Sequence, residues 1–139
     1  MQLSVRQSGG WGAICRDKNN EIQFAVAGSL QNITDALQAE TLALSKAMQI
    51  AEQVGLGRAN FETDCITVQQ ATTTTKYDYT HLGVIFANLK FRITSDFIDA
   101  RVIHTPCICN KPAHELAALG VGVAHGEQKL WVSSNPSVW

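Results

Sequence analysis

The sequence predicts an α/β layer fold with a mixed β-sheet, on three observations. Two short apolar segments near the start are separated by a polar turn, as in an antiparallel hairpin. A long stretch with helical periodicity follows it. Strand and helix patterns then alternate, which requires crossover connections and therefore parallel strands. The 139 residues and the 45% hydrophobic content suit one globular unit, so we expect a single domain over residues 1–139.

The hairpin is predicted over residues 9–16 and 21–28, with residues 17–20 as its polar turn. Before it, apolar and polar residues alternate over residues 1–5, which is typical of one more short strand. The chain is therefore expected to begin with two or three strands.

Residues 35–54 have the longest helical pattern, and the other elements are expected to pack around it. Thr34 or Asp35 can cap the first turn, and Gly55 follows the last turn as a helix-ending glycine does. Small side chains recur along one face, which lets the helix lie close to another layer, so we predict that this helix is buried. Glu40 stands at the border of that face, where a carboxylate is seldom found without a partner or an ion. The small residues are Ala39, Ala43, Ala47 and Ala51.

The second half of the chain alternates strands and helices. The threonine-rich residues 72–75 are interpreted as a loop because β-branched residues disfavour helix, and Thr80 is expected to cap the helix after them. Asn110 is expected to cap a last helix that has Pro112 near its start. The apolar tail, residues 129–136, is too short to classify. In order, the predicted elements are a strand over 59–64, helices over 65–71 and 80–91, a strand over 97–104 and the helix from residue 110.

Composition excludes several classes of protein. A formal net charge of -1 and a pI near 6.4 exclude a strongly basic protein that binds nucleic acid over its whole surface. No apolar run is long enough to cross a bilayer and no secretory signal opens the chain, so we expect an intracellular protein, cytoplasmic or nuclear. The cysteines match no zinc-binding spacing and are expected to be reduced and structural. They are Cys15, Cys65, Cys107 and Cys109.

Four motifs occur in the order in which a known family has them. They are Gly-Gly-Trp-Gly-Ala-Ile-Cys-Arg-Asp at 9–17, Leu-Gln-Ala-Glu-Thr-Leu-Ala at 37–43, Glu-Thr-Asp at 62–64, and His-Thr-Pro at 104–106 followed by Asn-Lys-Pro-Ala-His-Glu-Leu-Ala at 110–117. Together they resemble the ribonuclease H domains associated with plant reverse transcriptases, which occur in retroelement polyproteins and as free-standing relatives. The resemblance implies the ribonuclease H fold, a mixed five-stranded sheet with three antiparallel strands and then parallel strands, flanked by helices. It also implies four acids that hold two Mg²⁺ ions and hydrolyse the RNA strand of an RNA–DNA hybrid.

The resemblance identifies two of these four acids. Glu40 and Asp64 match the family's Glu and second Asp, so they are candidate catalytic residues and candidate metal ligands. The first Asp falls near Gln2, where the acid is either replaced or was cut off at the first strand of an excised domain. The last Asp aligns with His114, a candidate catalytic position whose neutral imidazole suits zinc or manganese better than magnesium. Because two divalent ions about 4 Å apart require hard oxygen ligands, we expect only a remnant site.

Two further residues of the matching motifs are candidate nucleic-acid contacts. They are Asn110, before the last helix, and His104, at the end of the last predicted strand. The plainer interpretation of His104 is that it packs at the strand end against the final helix.

Three classes of function follow from these observations. We predict a domain that keeps the fold, has lost most or all nuclease activity, and acts as a protein-interaction or weak nucleic-acid-binding module. The alternative is an active endonuclease that uses Mg²⁺ or Mn²⁺ to cleave RNA–DNA hybrids, whereas an inactive domain needs no cofactor. The expected partners are a hybrid or another nucleic acid, or a protein such as a pathogen effector where the domain is integrated in an immune receptor. No membrane partner is expected.

Overall fold

The computed structural model describes residues 1–7, 10–19, 21–30, 35–105 and 128–132. Within these residues it contains six strands and three helices. They are β1 (Gln2–Gln7), β2 (Gly10–Arg16), β3 (Ile22–Ser29), α1 (Ala36–Gln53), β4 (Arg58–Thr63), α2 (Ile66–Thr73), α3 (Gly83–Ser95), β5 (Asp99–His104) and β6 (Gln128–Val132).

All of these strands belong to one mixed sheet, in the order β5-β4-β1-β2-β3-β6. β2 pairs antiparallel with both β1 and β3, and β6 pairs antiparallel with the outer side of β3. β4 runs parallel to β1 and β5 runs parallel to β4. The expected number of five strands is wrong, because part of the unclassified tail forms the added strand β6. β1, which the sequence suggests only as an optional extra strand, lies in the middle of the sheet between β2 and β4.

The helix α1 is the buried helix that its sequence predicts. Asp35 is its N-cap, and its Oδ1 accepts a hydrogen bond of 2.7 Å from the backbone N–H of Gln38. Gly55, just beyond the helix, has φ +78°, a left-handed conformation that favours glycine. All four alanines of the predicted face are buried, and α1 packs mainly on β1 and β4. This close packing builds the main core together with Leu3 and Phe61.

Three predicted helix boundaries are wrong, one of them the end of α3, which lies at Ser95 and not at residue 91. Thr72 and Thr73 belong to α2, and their hydroxyls donate hydrogen bonds to the carbonyls one turn earlier, at Val68 and Gln69. Thr80 does not cap α3, since its hydroxyl donates to the carbonyl of Tyr77 and the helix begins only at Gly83.

The last predicted helix lies outside the described residues, together with its proposed cap Asn110, with His114, and with Cys107 and Cys109. Of the described cysteines, Cys15 and Cys65 are free thiols. Burial, with a smaller contribution from the charge of Asp17, raises the pKa of Cys15 to about 12, so this thiol is not a nucleophile. Among the described residues, no helix is both long and apolar enough to span a membrane.

Candidate functional site

The candidate site lies at the edge of the sheet where β1, β4 and β5 end, which we call the carboxyl edge. These three strands are parallel, so their last residues, Gln7, Thr63 and His104, lie at the same side. β3 also ends there, since Gly10 at the start of β2 pairs with Ser29. The chain enters α1 from this side, which places the first turns of the helix at the carboxyl edge.

Glu40 and Asp64 are brought together at this edge. Asp64 directly follows β4, and Glu40 lies in the second turn of α1. Burial raises the pKa of the Cys65 thiol, and the negative charges of both Glu40 and Asp64 raise it further, while the backbone N–H of Val68 lowers it. Glu40 and Asp64 therefore both lie within electrostatic range of the Cys65 thiol. Both are partly buried, and both are engaged in interactions with other groups.

Gln2, the position near which the resemblance places the first acid, lies away from the carboxyl edge. In the parallel pairing of β1 with β4, Gln2 is level with Asn60 and Ser4 is level with Glu62. Gln2 is therefore at the far end of β1, four residues before the level of Asp64. A parallel register between distant strands leaves no local signal in the sequence, so this placement could not be predicted from it.

His104 is the other candidate residue that the structure describes. It is the last residue of β5, is level with Thr63 of β4, and is exposed. It therefore lies at the carboxyl edge, one residue below the level of Asp64. The predicted roles of Asn110 and His114 stay predictions, because both residues are outside the described part of the chain.

The metal-binding side chains in the described part of the chain do not fit a pair of divalent ions. In the described ranges, no three His, Cys, Asp or Glu side chains form a group that could hold a metal. The strand that ends between β2 and β4 has the sequence QLSVRQ and contains no acid. Mg²⁺ and Mn²⁺ bind mainly to oxygen ligands of negative charge, and β1 supplies no carboxylate.

The connection between α2 and α3 also reaches this edge, which the sequence did not indicate. The Nε2 atom of His81 lies 3.1 Å from Oδ2 of Asp35, the residue that caps α1. In the same connection Lys76 and Tyr79 are exposed, and the Lys76 ammonium lies over the Tyr77 ring. The sequence predicts a loop for only part of this segment. Its contact with α1 could not be predicted, because it joins residues 46 positions apart.

Comparison with solved structures identifies the class of fold as ribonuclease H. RNase H1 from the halophilic archaeon Halobacterium salinarum NRC-1 is 19% identical with a TM-score of 0.66, and the match covers 87% of this chain and 98% of that chain. LC11-RNase H1, solved in complex with an RNA/DNA hybrid, is 18% identical with a TM-score of 0.71, over 86% of this chain and 94% of that chain. The foamy viral protease-reverse transcriptase in complex with RNA/DNA hybrid is 15% identical with a TM-score of 0.66, over 87% of this chain and 19% of that chain.

The chain belongs to the reverse transcriptase-like family, which matches residues 2–120. The match includes β1 to β5 and continues beyond them. No curated protein matches the chain.

Proposed function

We propose that this domain binds RNA–DNA hybrid or a similar nucleic acid weakly and no longer hydrolyses it. One observation carries the proposal: β1, the central strand that runs parallel to β4, contains no carboxylate. Glu40 and Asp64 are then the remnant of a site that would need further acids. The missing negative charge explains the loss of activity. The carboxylates of a two-ion site offset the energy needed to remove water from the ions, so a site with fewer carboxylates binds the ions less well.

Weak binding of nucleic acid is supported by the fold and by the exposed groups near the carboxyl edge. Two structures of similar fold were solved with an RNA/DNA hybrid. Tyr79 is fully exposed and can stack on a base, and Lys76 and His81 are exposed cationic or titratable groups of the same connection. Since the net charge is -1, contacts with phosphates must be few and local.

The test is a combined binding and cleavage assay on a labelled RNA–DNA hybrid, with Mg²⁺ and then with Mn²⁺. We expect a salt-sensitive complex and no cleavage, in the native chain as in Glu40→Gln. Cleavage that disappears in Glu40→Gln would overturn the proposal in favour of an active, metal-dependent endonuclease on the RNA strand. Absence of any complex with hybrid, duplex RNA or DNA would overturn the binding part.

A second candidate function, a protein-interaction module, is favoured by the helix α3. Its inner face carries the buried Phe86 and Leu89, as in any packed helix. Its outer face carries Val84, which is 85% exposed, and Phe91, which is 65% exposed. These two residues are seven positions apart and therefore share one line on the helix. Apolar residues on both faces are typical of a helix that is covered on both faces.

Selection of a displayed random-peptide library on the purified domain tests this second function. We expect enriched peptides whose binding is lost in Phe91→Lys and in Val84→Lys. Gln49→Lys, at an exposed position of α1, is the matched control and should leave binding unchanged. Enrichment that survives both apolar substitutions, or no enrichment, would exclude the α3 surface as a protein-binding site.

A further inference from the structure

The strand β5 ends the sheet on one side, and its outer edge has a defined set of backbone groups. The N–H of Asp99 donates to the Gly57 carbonyl, and the N–H of Thr105 donates to the Thr63 carbonyl. In a parallel ladder this direction alternates from one residue to the next, so the odd-numbered residues of β5 turn their backbone groups towards β4. The even-numbered residues turn theirs outward, and they are Ala100, Val102 and His104.

This outward row is available for pairing. Within the described residues β5 pairs with β4 alone, and no hydrogen bond reaches the outward groups. The side chains of Asp99, Arg101 and Ile103 are exposed, and Ile98, just before the strand, is 76% exposed. An end strand with unpaired N–H and C=O groups is a template on which another strand can add.

We propose that β5 pairs antiparallel with β5 of a second copy of this chain, about a two-fold axis at Ala100. In an antiparallel pair an outward residue stands opposite an outward residue, so Ala100 exchanges two hydrogen bonds with Ala100 of the second copy. Asp99 then stands opposite Arg101 of the second copy, and Arg101 opposite its Asp99. These are non-hydrogen-bonded positions, about 4.5 Å apart between Cα atoms, where opposite charges attract most effectively.

Charge selects this axis from the others that the outward row allows. An axis at Arg101 sets two arginines opposite each other, and an axis at Val102 sets Arg101 opposite Ile103. The axis at Ala100 matches each charge of the strand with one of opposite sign. It also brings Ile98 level with Val102 of the second copy, which removes exposed apolar surface from water.

The competing interpretation is that the charges of β5 protect its edge from association. Charged side chains on end strands commonly have this effect. Asp99 and Arg101 also form a pair within the strand, with 3.5 Å between Oδ1 and Nε. That pair is exposed and contributes little to stability, so it is free to exchange for the pairs between copies. The two interpretations differ in solution, because one gives a dimer and the other a monomer.

Sedimentation velocity of the purified domain over a concentration series tests the proposal. We expect a reversible equilibrium of monomer and dimer. Arg101→Asp should weaken dimerisation by about tenfold or more, because it sets two carboxylates opposite each other on both sides of the axis. Asp99→Arg should weaken it similarly, and the double variant Asp99→Arg with Arg101→Asp should restore it. Lys18→Asp, in the exposed turn between β2 and β3, makes the same charge change as Arg101→Asp and should leave the dimer unchanged.

A backbone variant tests the hydrogen bonds independently of charge. Ala100→Pro removes the outward N–H at the axis, and it leaves the ladder to β4 intact because that N–H does not face β4. We expect it to abolish the dimer while circular dichroism shows a folded chain. If the proline disturbs the fold, the charge exchange between positions 99 and 101 decides the question alone.

Three results would overturn the proposal. A monomer at every concentration would assign the charges of β5 to protection of the edge. A double variant no stronger than Arg101→Asp would show that positions 99 and 101 do not face each other between copies. A dimer that is lost in Phe91→Lys and kept in Arg101→Asp would place the contact on α3. None of these results bears on nucleic-acid binding, because the inference does not depend on the proposed function.

Discussion

At the scale of single residues, the indole of Trp11 lies over Gly28 in the hairpin. The two residues are paired across β2 and β3, and Trp11 is buried. A Cβ atom at position 28 would lie 2.4 Å from the indole Nε1 of Trp11. The indole therefore occupies the space that any other residue at 28 would need. This contact lies beside the carboxyl edge, because β3 ends at Ser29.

Gly28→Ala should therefore destabilise the domain. Since Trp11 lies in a packed core and cannot move freely, we expect a loss of about 1–3 kcal/mol in the free energy of unfolding. Urea unfolding measures it. Gly57→Ala is the control, because the added Cβ would meet only the end of the exposed Ile98 side chain, at 3.0 Å, which can move aside. Equal losses in both variants would show that the indole does not restrict position 28.

Asp35 makes the stability of the chain depend on pH. The backbone N–H of Gln38, and after it the His81 ring, hold the pKa of the Asp35 carboxyl below its ordinary value of 3.8. Because the folded state has the lower pKa, the carboxylate stabilises the fold above pH 3.8, and this stabilisation is lost as the pH falls through the folded-state pKa.

Asp35→Asn tests this dependence, because it keeps a capping oxygen and removes the charge. At neutral pH we expect the variant to unfold more easily than the native chain, and we expect the difference to shrink as the pH falls below 3.8. Urea unfolding over a pH series measures it. Asp99→Asn, at an exposed position on β5, is the control. A difference that stays constant in acid would mean that the charge is not the cause.

The two candidate acids show how far a sequence identifies a site at this scale. Glu40 stands out because a carboxylate at the border of a buried helix face is locally unusual, whereas Asp64 is found only through its match to a family motif. The first-strand position could not be found in the same way. It depends on the register between β1 and β4, whose paired residues are 58 positions apart.

At the scale of elements, α1 sets the distance between the helical layer and the sheet. Its alanine face lies on β1 and β4, and Ala43, Ala47 and Ala51 have no exposed surface. Ala47→Leu should force the layers apart, so we expect a loss of about 1–3 kcal/mol in the free energy of unfolding. Gln49→Leu makes a similar change on the exposed side of the same helix and should cost far less. Chemical unfolding of the two variants measures these losses in the free energy of unfolding. Equal losses would contradict the close packing of α1 on the sheet.

The ends of α1 were predictable and those of α2 and α3 were not. Asp35 and Gly55 are strong local signals, a capping carboxylate and a left-handed glycine. The extension of α2 depends on Thr72, which is buried and donates to the Val68 carbonyl, so packing overrides its poor helix propensity. The late start of α3 follows from a turn in which Gly83 lies against the Asp78 carbonyl. That contact depends on the absence of a side chain at position 83.

At the scale of the whole molecule, the class of fold was predictable and the sheet order only in part. Alternating strand and helix patterns require crossovers, and these place β4 and β5 parallel. The added strand β6 pairs with β3 about 100 positions earlier in the chain, with Ala25 level with Trp131. No pattern within a five-residue segment predicts such a partner.

The net charge of -1 over the whole chain determines how the proposed nucleic-acid binding should respond to salt. Each phosphate that a protein neutralises contributes about 0.9 to the slope of log affinity against log salt on duplex DNA. With few exposed cations in the α2–α3 connection, we expect a slope well below that of a basic domain with six to ten contacts, which is about 5 to 9. Filter binding of a labelled hybrid at increasing KCl measures it.

The same measurement locates the contacting surface. Lys76→Gln should reduce the slope by about one unit, because it removes one phosphate contact. Lys18→Gln, in the exposed turn between β2 and β3 at the far end of the sheet, removes the same charge and should leave the slope unchanged. If Lys18 lowers the slope as much as Lys76, binding depends on net charge alone. The α2–α3 connection would then not be the nucleic-acid surface.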